Sequence, residues 1–312
     1  MASLSPVDLS LLDLLRSVEN TGYRFTTVTP ETHRHVNRRP GNEVARDLRG
    51  VFGWSRRFDP AILPAGMFDL LQAAEAVVPD RDRWRSRYRI STLGEELFLH
   101  SAFPTEDEAA VFFGPDTYRF VAALEQAQRE GDGAGWRRAV DIGCGSGAAG
   151  IMLARTRPEA TVVLTDINPA ALRLSKINAA LARATNVEIR AANLLDGIEG
   201  NFDLIVANPP YLKDPAKRLY RHGGGARGEG LSLAIVDTAL ARLAPGGTLM
   251  LYTGVAIVDG IDPFRQAVAE RLQGSAHAWR YREIDPDVFG EELAHLDADR
   301  IAAVFLTLTK AK

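Results

Sequence analysis

Cysteine is almost absent from the chain: Cys144 is the only one in 312 residues. That excludes an intramolecular disulfide and a cysteine-rich metal centre, and makes a reducing compartment the natural setting. Long apolar runs are missing too, and no stretch approaches the roughly 20 residues that a membrane span requires. The first twenty residues are apolar, but they lack a basic leader region and carry Asp8 and Asp13, which a secretory signal would avoid. A cytoplasmic protein is expected. Neither sign of charge prevails: the formal net charge is -3, so no global field draws nucleic acid or anionic membranes, and any basic surface must be local. Internal repeats and low-complexity segments are also lacking.

What is present is the composition of an ordinary globular protein, with 46% apolar and 25% charged residues. The length suits one large domain or two modest ones. From about Trp136 short apolar runs alternate with helical patterns. Strands are expected at 139–142, 161–165, 187–190, 203–207, 248–252 and 301–308, with helices at 169–182, 231–243 and 263–272. Such alternation predicts a doubly wound, mostly parallel α/β sheet, whose ligands collect at the carboxyl ends of the strands.

The first hundred residues differ. Ser5, Pro6 and the spacing of Val7, Leu11, Leu14 and Val18 predict an opening helix. Further helices are expected at 42–52 and 64–78, and RYRISTLGEELFLHSAF, residues 87–103, alternates about a turn as a hairpin does. This order suggests a small α+β module, winged-helix-like, over 1–103, followed by the sheet domain over 104–312. A helix at 115–129 and the loop EGDGAG lead into the sheet.

The segment DIGCGSGAAG, residues 141–150, follows the first of those strands. Glycines there let the backbone turn tightly and approach a ligand that a Cβ would exclude. Gly145–Gly150 fits the G-x-G-x-x-G dinucleotide pattern, and Asp166 at the end of the next strand suits ribose hydroxyls. Both features serve S-adenosylmethionine equally well. Two others separate the ligands. Asp141, just before the glycines, would repel a pyrophosphate and favour a sulfonium or ammonium. FDLIVANPPY, residues 202–211, closes on a tetrad with no evident use in nicotinamide chemistry.

Together AVDIGCGSG, VVLTDINP and FDLIVANPPY resemble the class I S-adenosylmethionine-dependent methyltransferases, in particular the N-methyltransferases with an Asn/Asp-Pro-Pro-Tyr/Phe tetrad. The resemblance covers about the last two thirds of the chain. It implies that Asp141, Gly143, Gly145 and Gly147 border the methionine part of the cofactor, Asp166 and Ile167 the ribose end, and Asn193 and Leu194 the adenine. It also implies a helix closing over the cofactor, with Phe113 and Thr117 touching it. Asn208, Pro209, Pro210 and Tyr211 would form the catalytic tetrad, Asn208 also bordering the cofactor. An amide or exocyclic amine is a poor nucleophile because its lone pair is delocalised. If the Asn208 side-chain oxygen and the Pro209 carbonyl each accept one N–H, the nitrogen is held with its lone pair toward the methyl group, and Tyr211 stacks on the planar acceptor. No metal is required, and Cys144 is a small spacer.

The tetrad does not separate a glutamine amide from a nucleobase amine. RLYRHGGGARGEGLSL, residues 218–233, resembles the Gly-Gly-x-Asp-Gly-Leu region of the protein-glutamine methyltransferases that modify release factors, with Glu229 in the place of Asp. This favours a protein substrate. Nucleic acid is the alternative, docked by RDRWRSRYRI, residues 81–90. Read as one strand, it sets Arg83, Arg85, Arg87 and Arg89 on a single face. The stretch 223–230, bordered by Lys213, Lys217, Arg218 and Arg221, is a candidate substrate flap. The oligomeric state is left open.

Overall fold

The computed structural model describes residues 4–105, 107–212 and 221–312. The chain opens with α1 (Pro6–Asn20), whose cap Ser5 accepts a hydrogen bond from the Asp8 amide and whose stripe of Leu11, Leu14, Leu15 and Val18 is buried. Next come α2 (Pro30–Asn37) and α3 (Met67–Ala73), then the antiparallel pair β1 (Val77–Asp80) and β2 (Arg83–Ser86). The hairpin β3 (Tyr88–Leu93) with β4 (Glu96–Ser101) completes the module.

Two expected helices are largely replaced. Within 42–52, Val44 bridges to Arg57 and the Asp47 side chain accepts the Gly50 amide, leaving only a short helical turn at Arg49–Gly53. Gly50 and Gly53 serve packing there, since a Cβ on them would overlap Ala45 and the Phe25 ring. Within 64–78, Gly66 and Glu75 have positive φ and bound α3 on both sides, and Val77 begins β1.

The sheet half follows α4 (Pro115–Arg129). It contains β5 (Arg138–Ile142), α5 (Ala148–Thr156), β6 (Thr161–Asp166), α6 (Pro169–Leu181), β7 (Val187–Ala191), β8 (Phe202–Ala207), α7 (Gly230–Arg242), β9 (Leu243–Ile257), α8 (Pro263–Leu272), β10 (Ala278–Asp285) and β11 (Arg300–Thr309). These strands form one seven-stranded sheet in the order β10-β11-β9-β8-β5-β6-β7. Strands β7 to β9 run parallel, while β11 is antiparallel to both β9 and β10. It is the doubly wound, mostly parallel Rossmann-like arrangement expected from the alternation.

From β5 the winding proceeds to β6 and β7 on one side, then reverses to β8 and β9 on the other. The neighbouring strands β5 and β8 therefore flank the switch point, where the loops after them part and leave a crevice. The glycine segment follows β5 and the tetrad follows β8, so topology brings both to that crevice.

One face of α6 belongs to the module. Ala171, Leu174, Ile177 and Leu181 share an apolar core with Leu11, Leu14 and Val18 of α1, Met67 and Leu71 of α3, and Ile90 and Leu99 of the hairpin. Among the described residues no helix is long and apolar enough to cross a membrane.

Candidate active site

The backbone leaving β5 turns at Gly143 and Gly145, with φ of +69° and +54°, values that a side chain disfavours. The Gly143 and Cys144 amides both donate to the Thr165 carbonyl of β6, at 2.8 and 2.9 Å, holding the loop to the neighbouring strand. A Cβ at either Gly143 or Gly145 would meet open space, so both face the crevice. Gly147 differs. It caps α5 with φ of +81°, and a Cβ there would press on Ile151, Ser175 and Leu164. It seats α5 on the sheet and does not line the cavity.

Two carboxylates flank this loop. Asp141 is 2% exposed and accepts the Gly150 amide of α5 at 2.9 Å. Burial pushes its pKa up to about 7, the Gly150 hydrogen bond opposing and the nearby Asp166 adding. Asp166 accepts the Gly145 amide at 2.9 Å and the Asn168 amide at 2.8 Å; burial raises its pKa against those two bonds. Burial also raises the Cys144 thiol well above its ordinary value, which disfavours the thiolate.

One cleft of about 230 Å³ runs from the glycine loop to the tetrad. Asp141, Gly143, Gly145, Asp166, Ile167, Asn193, Leu194 and Thr117 line one part of it, and Asn208, Pro209, Pro210 and Tyr211 another. Ile167 stands 55% exposed at the rim, an apolar surface available to a flat ligand. Phe113 is a correction. It is fully buried, stacked on His100 and Phe98, and does not line the cleft; its neighbour Phe112 does. The alternation of extended backbone before α4 sends successive side chains to opposite sides.

Tyr211 lines the cleft and makes further contacts that the sequence does not show. Its hydroxyl donates to Asp116 in the first turn of α4, and its ring meets Phe289 edge-on at 5.9 Å. Gly254 of β9 makes room for it, since a Cβ there would overlap the Tyr211 ring. Asp116 and Phe289 both line the cleft, and neither was singled out from sequence. An Asp just inside a helix start reads as an ordinary dipole partner, and Phe289 lies in the irregular connection after β10.

The glycine stretch after the tetrad packs against it. Leu212 bridges His222, and the Gly223 amide donates to the Leu212 carbonyl at 2.9 Å. A Cβ on Gly223 or Gly228 would overlap the backbone of Pro210 or Tyr211. These glycines buttress the tetrad by close approach. Lys213, Lys217 and Arg218, named with the candidate flap, lie outside the described residues.

The single face of arginines is not formed. β2 and β3 belong to different ladders, with the chain breaking pattern at Arg87. Arg85 pairs with Asp80, Arg83 lies 3.7 Å from Asp82, and Arg89 is 3% exposed with its Nε donating to the Ser101 carbonyl. Of the four, Arg87 alone is exposed.

The chemistry of the lining fits S-adenosylmethionine. Among the described residues its charged groups are Asp116, Asp141, Asp166 and Arg221; Asp116 pairs with Arg119 and Arg221 with Glu292, which leaves Asp141 and Asp166. A crevice with surplus carboxylate suits a cationic cofactor and opposes a pyrophosphate.

Residues 128–256 match the methyltransferase small domain family. Fold, cleft and match define a class I S-adenosylmethionine-dependent methyltransferase. The chain is similar to the release factor glutamine methyltransferase of Deinococcus radiodurans, 31% identical over 245 residues that span 72% of this chain and 82% of the relative. It is similar to that of Bradyrhizobium diazoefficiens at 32% over 248 residues, spanning 73% and 81%. A shorter likeness, 29% over 133 residues, links it to ribosomal RNA small subunit methyltransferase C of Erwinia tasmaniensis, with 43% of this chain and 34% of the relative covered. The chain belongs to the family of the release factor glutamine methyltransferases.

Proposed function

We propose that the enzyme methylates the side-chain amide nitrogen of a glutamine in a protein substrate. The observation that carries this reading is the likeness to release factor glutamine methyltransferases over four fifths of their length. The cleft supports it. Around the tetrad, Pro210, Leu231, Ile235 and Phe289 form apolar walls that suit the methylene stem of a glutamine.

In this reading Asp141, Gly143 and Gly145 hold the methionine part of the cofactor, Asp166 its ribose, and Ile167, Asn193, Leu194 and Thr117 its adenosine end. Gly147 acts through α5 and Phe113 through the core. Bound there, S-adenosylmethionine supplies an electrophilic methyl group on a positively charged sulfur. The Asn208 side-chain oxygen and the Pro209 carbonyl accept the two N–H groups of the amide, fixing the nitrogen and turning its lone pair toward the cofactor. Pro209 and Pro210 offer no competing N–H and keep the segment stiff. The proton lost after methylation passes to solvent. Residues 1–103 act as the substrate-recognition module.

The test is transfer from methyl-labelled S-adenosylmethionine into an extract of cells lacking the protein. Protease-sensitive label at glutamine, lost with Asn208→Ala, is the expected result. Nuclease-sensitive label would replace this reading with nucleic-acid methylation, in line with the ribosomal RNA methyltransferase among the relatives.

A further inference from the structure

The Asp116 carboxylate is 4% exposed and gathers three donors from three places in the fold. The Tyr211 hydroxyl donates to Oδ2. The Tyr252 hydroxyl, from β9, donates to Oδ1 at 2.9 Å, and Arg119 Nη1 reaches Oδ1 at 3.1 Å. Arg119 in turn holds Asp285 at the end of β10, at 2.9 Å. A buried carboxyl group with three donors is a strong, directional anchor. It sits one residue before Thr117, in the first turn of the helix that covers the cofactor side of the cleft.

The tetrad leaves β8 at Ala207, and its next free backbone torsions are curtailed by Pro209 and Pro210. Where Tyr211 is pinned, the carbonyl of Pro209 and the side chain of Asn208 are therefore aimed. The Tyr211 hydroxyl is spent on Asp116, its edge on Phe289, and one side of its ring lies against Gly254. We propose that Asp116 is a positioning residue: by clamping Tyr211 it fixes the acceptor grip at a set distance from α4 and the cofactor. The proposal rests on the reading of Asn208–Tyr211 as that grip. Both Asp116 oxygens are engaged by protein donors, Tyr211, Tyr252 and Arg119, so it acts through Tyr211.

Asp116→Asn keeps the volume and weakens the anchor, and Tyr211→Phe removes the hydroxyl from the other side. Three quantities are measured for each and for the double variant: turnover of the acceptor labelled by the wild-type protein, affinity for S-adenosylhomocysteine, and amide exchange at Tyr211 and Leu212. Expected is a fall in kcat of about 10- to 100-fold, as for a small misplacement of reacting groups. Cofactor affinity should stay within about threefold, exchange at Tyr211 and Leu212 should rise, and the double variant should be no worse than the worse single one. Losses that multiply in the double variant, cofactor affinity falling in step with kcat, or unchanged exchange in Asp116→Asn would each overturn the proposal. If Asp116→Asn does not fold, Tyr211→Phe decides alone, because wild-type turnover there contradicts the clamp. Exchange is read without any acceptor, so a wild-type protein that leaves glutamine unlabelled counts against the proposed function and not against the clamp.

Discussion

Gly254 lies near the end of β9, and its missing Cβ is what lets the Tyr211 ring lie where it does. Gly254→Ala should force that ring out or strain the strand, at an overpacking cost of about 1–3 kcal/mol. Turnover should fall far more than cofactor affinity, in a methyl-transfer assay run beside calorimetry. An unchanged kcat would mean that Tyr211 is free to move without consequence. Asp141 gives a prediction in pH. Its pKa is raised to about 7 by burial, above the ordinary carboxylate value of 3.8. Its contribution to the stability of the ligand-free protein is therefore complete below about pH 4 and lost as pH rises through 7. A cationic cofactor favours the ionised form, so binding near pH 6 should expel a proton, and affinity for S-adenosylmethionine should climb toward pH 8. Calorimetry in two buffers of different ionisation enthalpy reads that proton, and Asp141→Asn should abolish it. Binding without proton release would show that the carboxylate is already charged. The difference between Phe112 and Phe113 belongs at this scale as well: the motif marked the segment, while the pleat decided which ring faced the cleft, and a one-residue shift cannot be read from composition.

At the scale of elements, the parallel strands and their helices were legible because each is an apolar run or a 3.6-residue stripe between turn residues. β10, AWRYREID, was not, because an edge strand with charged and half-exposed positions has no apolar alternation to see. Of the short β1–β2 ladder, β2 fell within the 81–90 segment read as a strand, while Val77 and Val78 of β1 continued the pattern of the helix before it. The tetrad and the glycine loop were legible as motifs, but their buttress was not: Asp116 lies 95 residues from Tyr211, and only the sheet order brings them together. Helix α6 shows how such long-range ties work. Its Asn178 is fully buried; Oδ1 accepts the Leu99 amide at 2.8 Å, and Nδ2 donates to the Leu99 carbonyl at 3.0 Å and the Ser146 carbonyl at 2.8 Å. One side chain thus joins the hairpin to the glycine loop. Asn178→Ala would leave these groups unpaired, at about 1–3 kcal/mol for each that water cannot reach. The melting temperature should drop, and affinity for S-adenosylhomocysteine should weaken with it because the loop loses its support. Lowered stability with undiminished affinity would confine Asn178 to the hairpin.

For the whole molecule the question is whether the N-terminal module and the sheet are one thermodynamic body. Composition and pattern divide the chain near residue 103, yet the packing crosses that line. Ala171, Leu174, Ile177 and Leu181 of α6 form one core with α1, α3 and the hairpin, while Phe98 and Leu93 of the hairpin reach into the core that also holds Leu164 and Leu204 of the sheet. Polar ties run the same way: Arg173 of α6 donates to Asp8 of α1 at 2.6 Å and to the Tyr88 hydroxyl of β3 at 3.0 Å. Opening the module alone would expose the apolar face of α6 to water, at roughly 25 cal/mol per Å², so separate melting is disfavoured. The expected behaviour is a single transition. Leu14→Ala in α1, a side chain 1% exposed, should cost about 2–5 kcal/mol, and the loss should appear equally in amide exchange of β3–β4 and of β5–β6. A ligand filling the cleft, which Asn168 and Ala171 line at the start of α6, should restore protection in the module through the same core. If β5 and β6 keep their protection while β3 and β4 exchange freely, the module is an independent domain after all, and its contact with α6 contributes less than its buried apolar face implies.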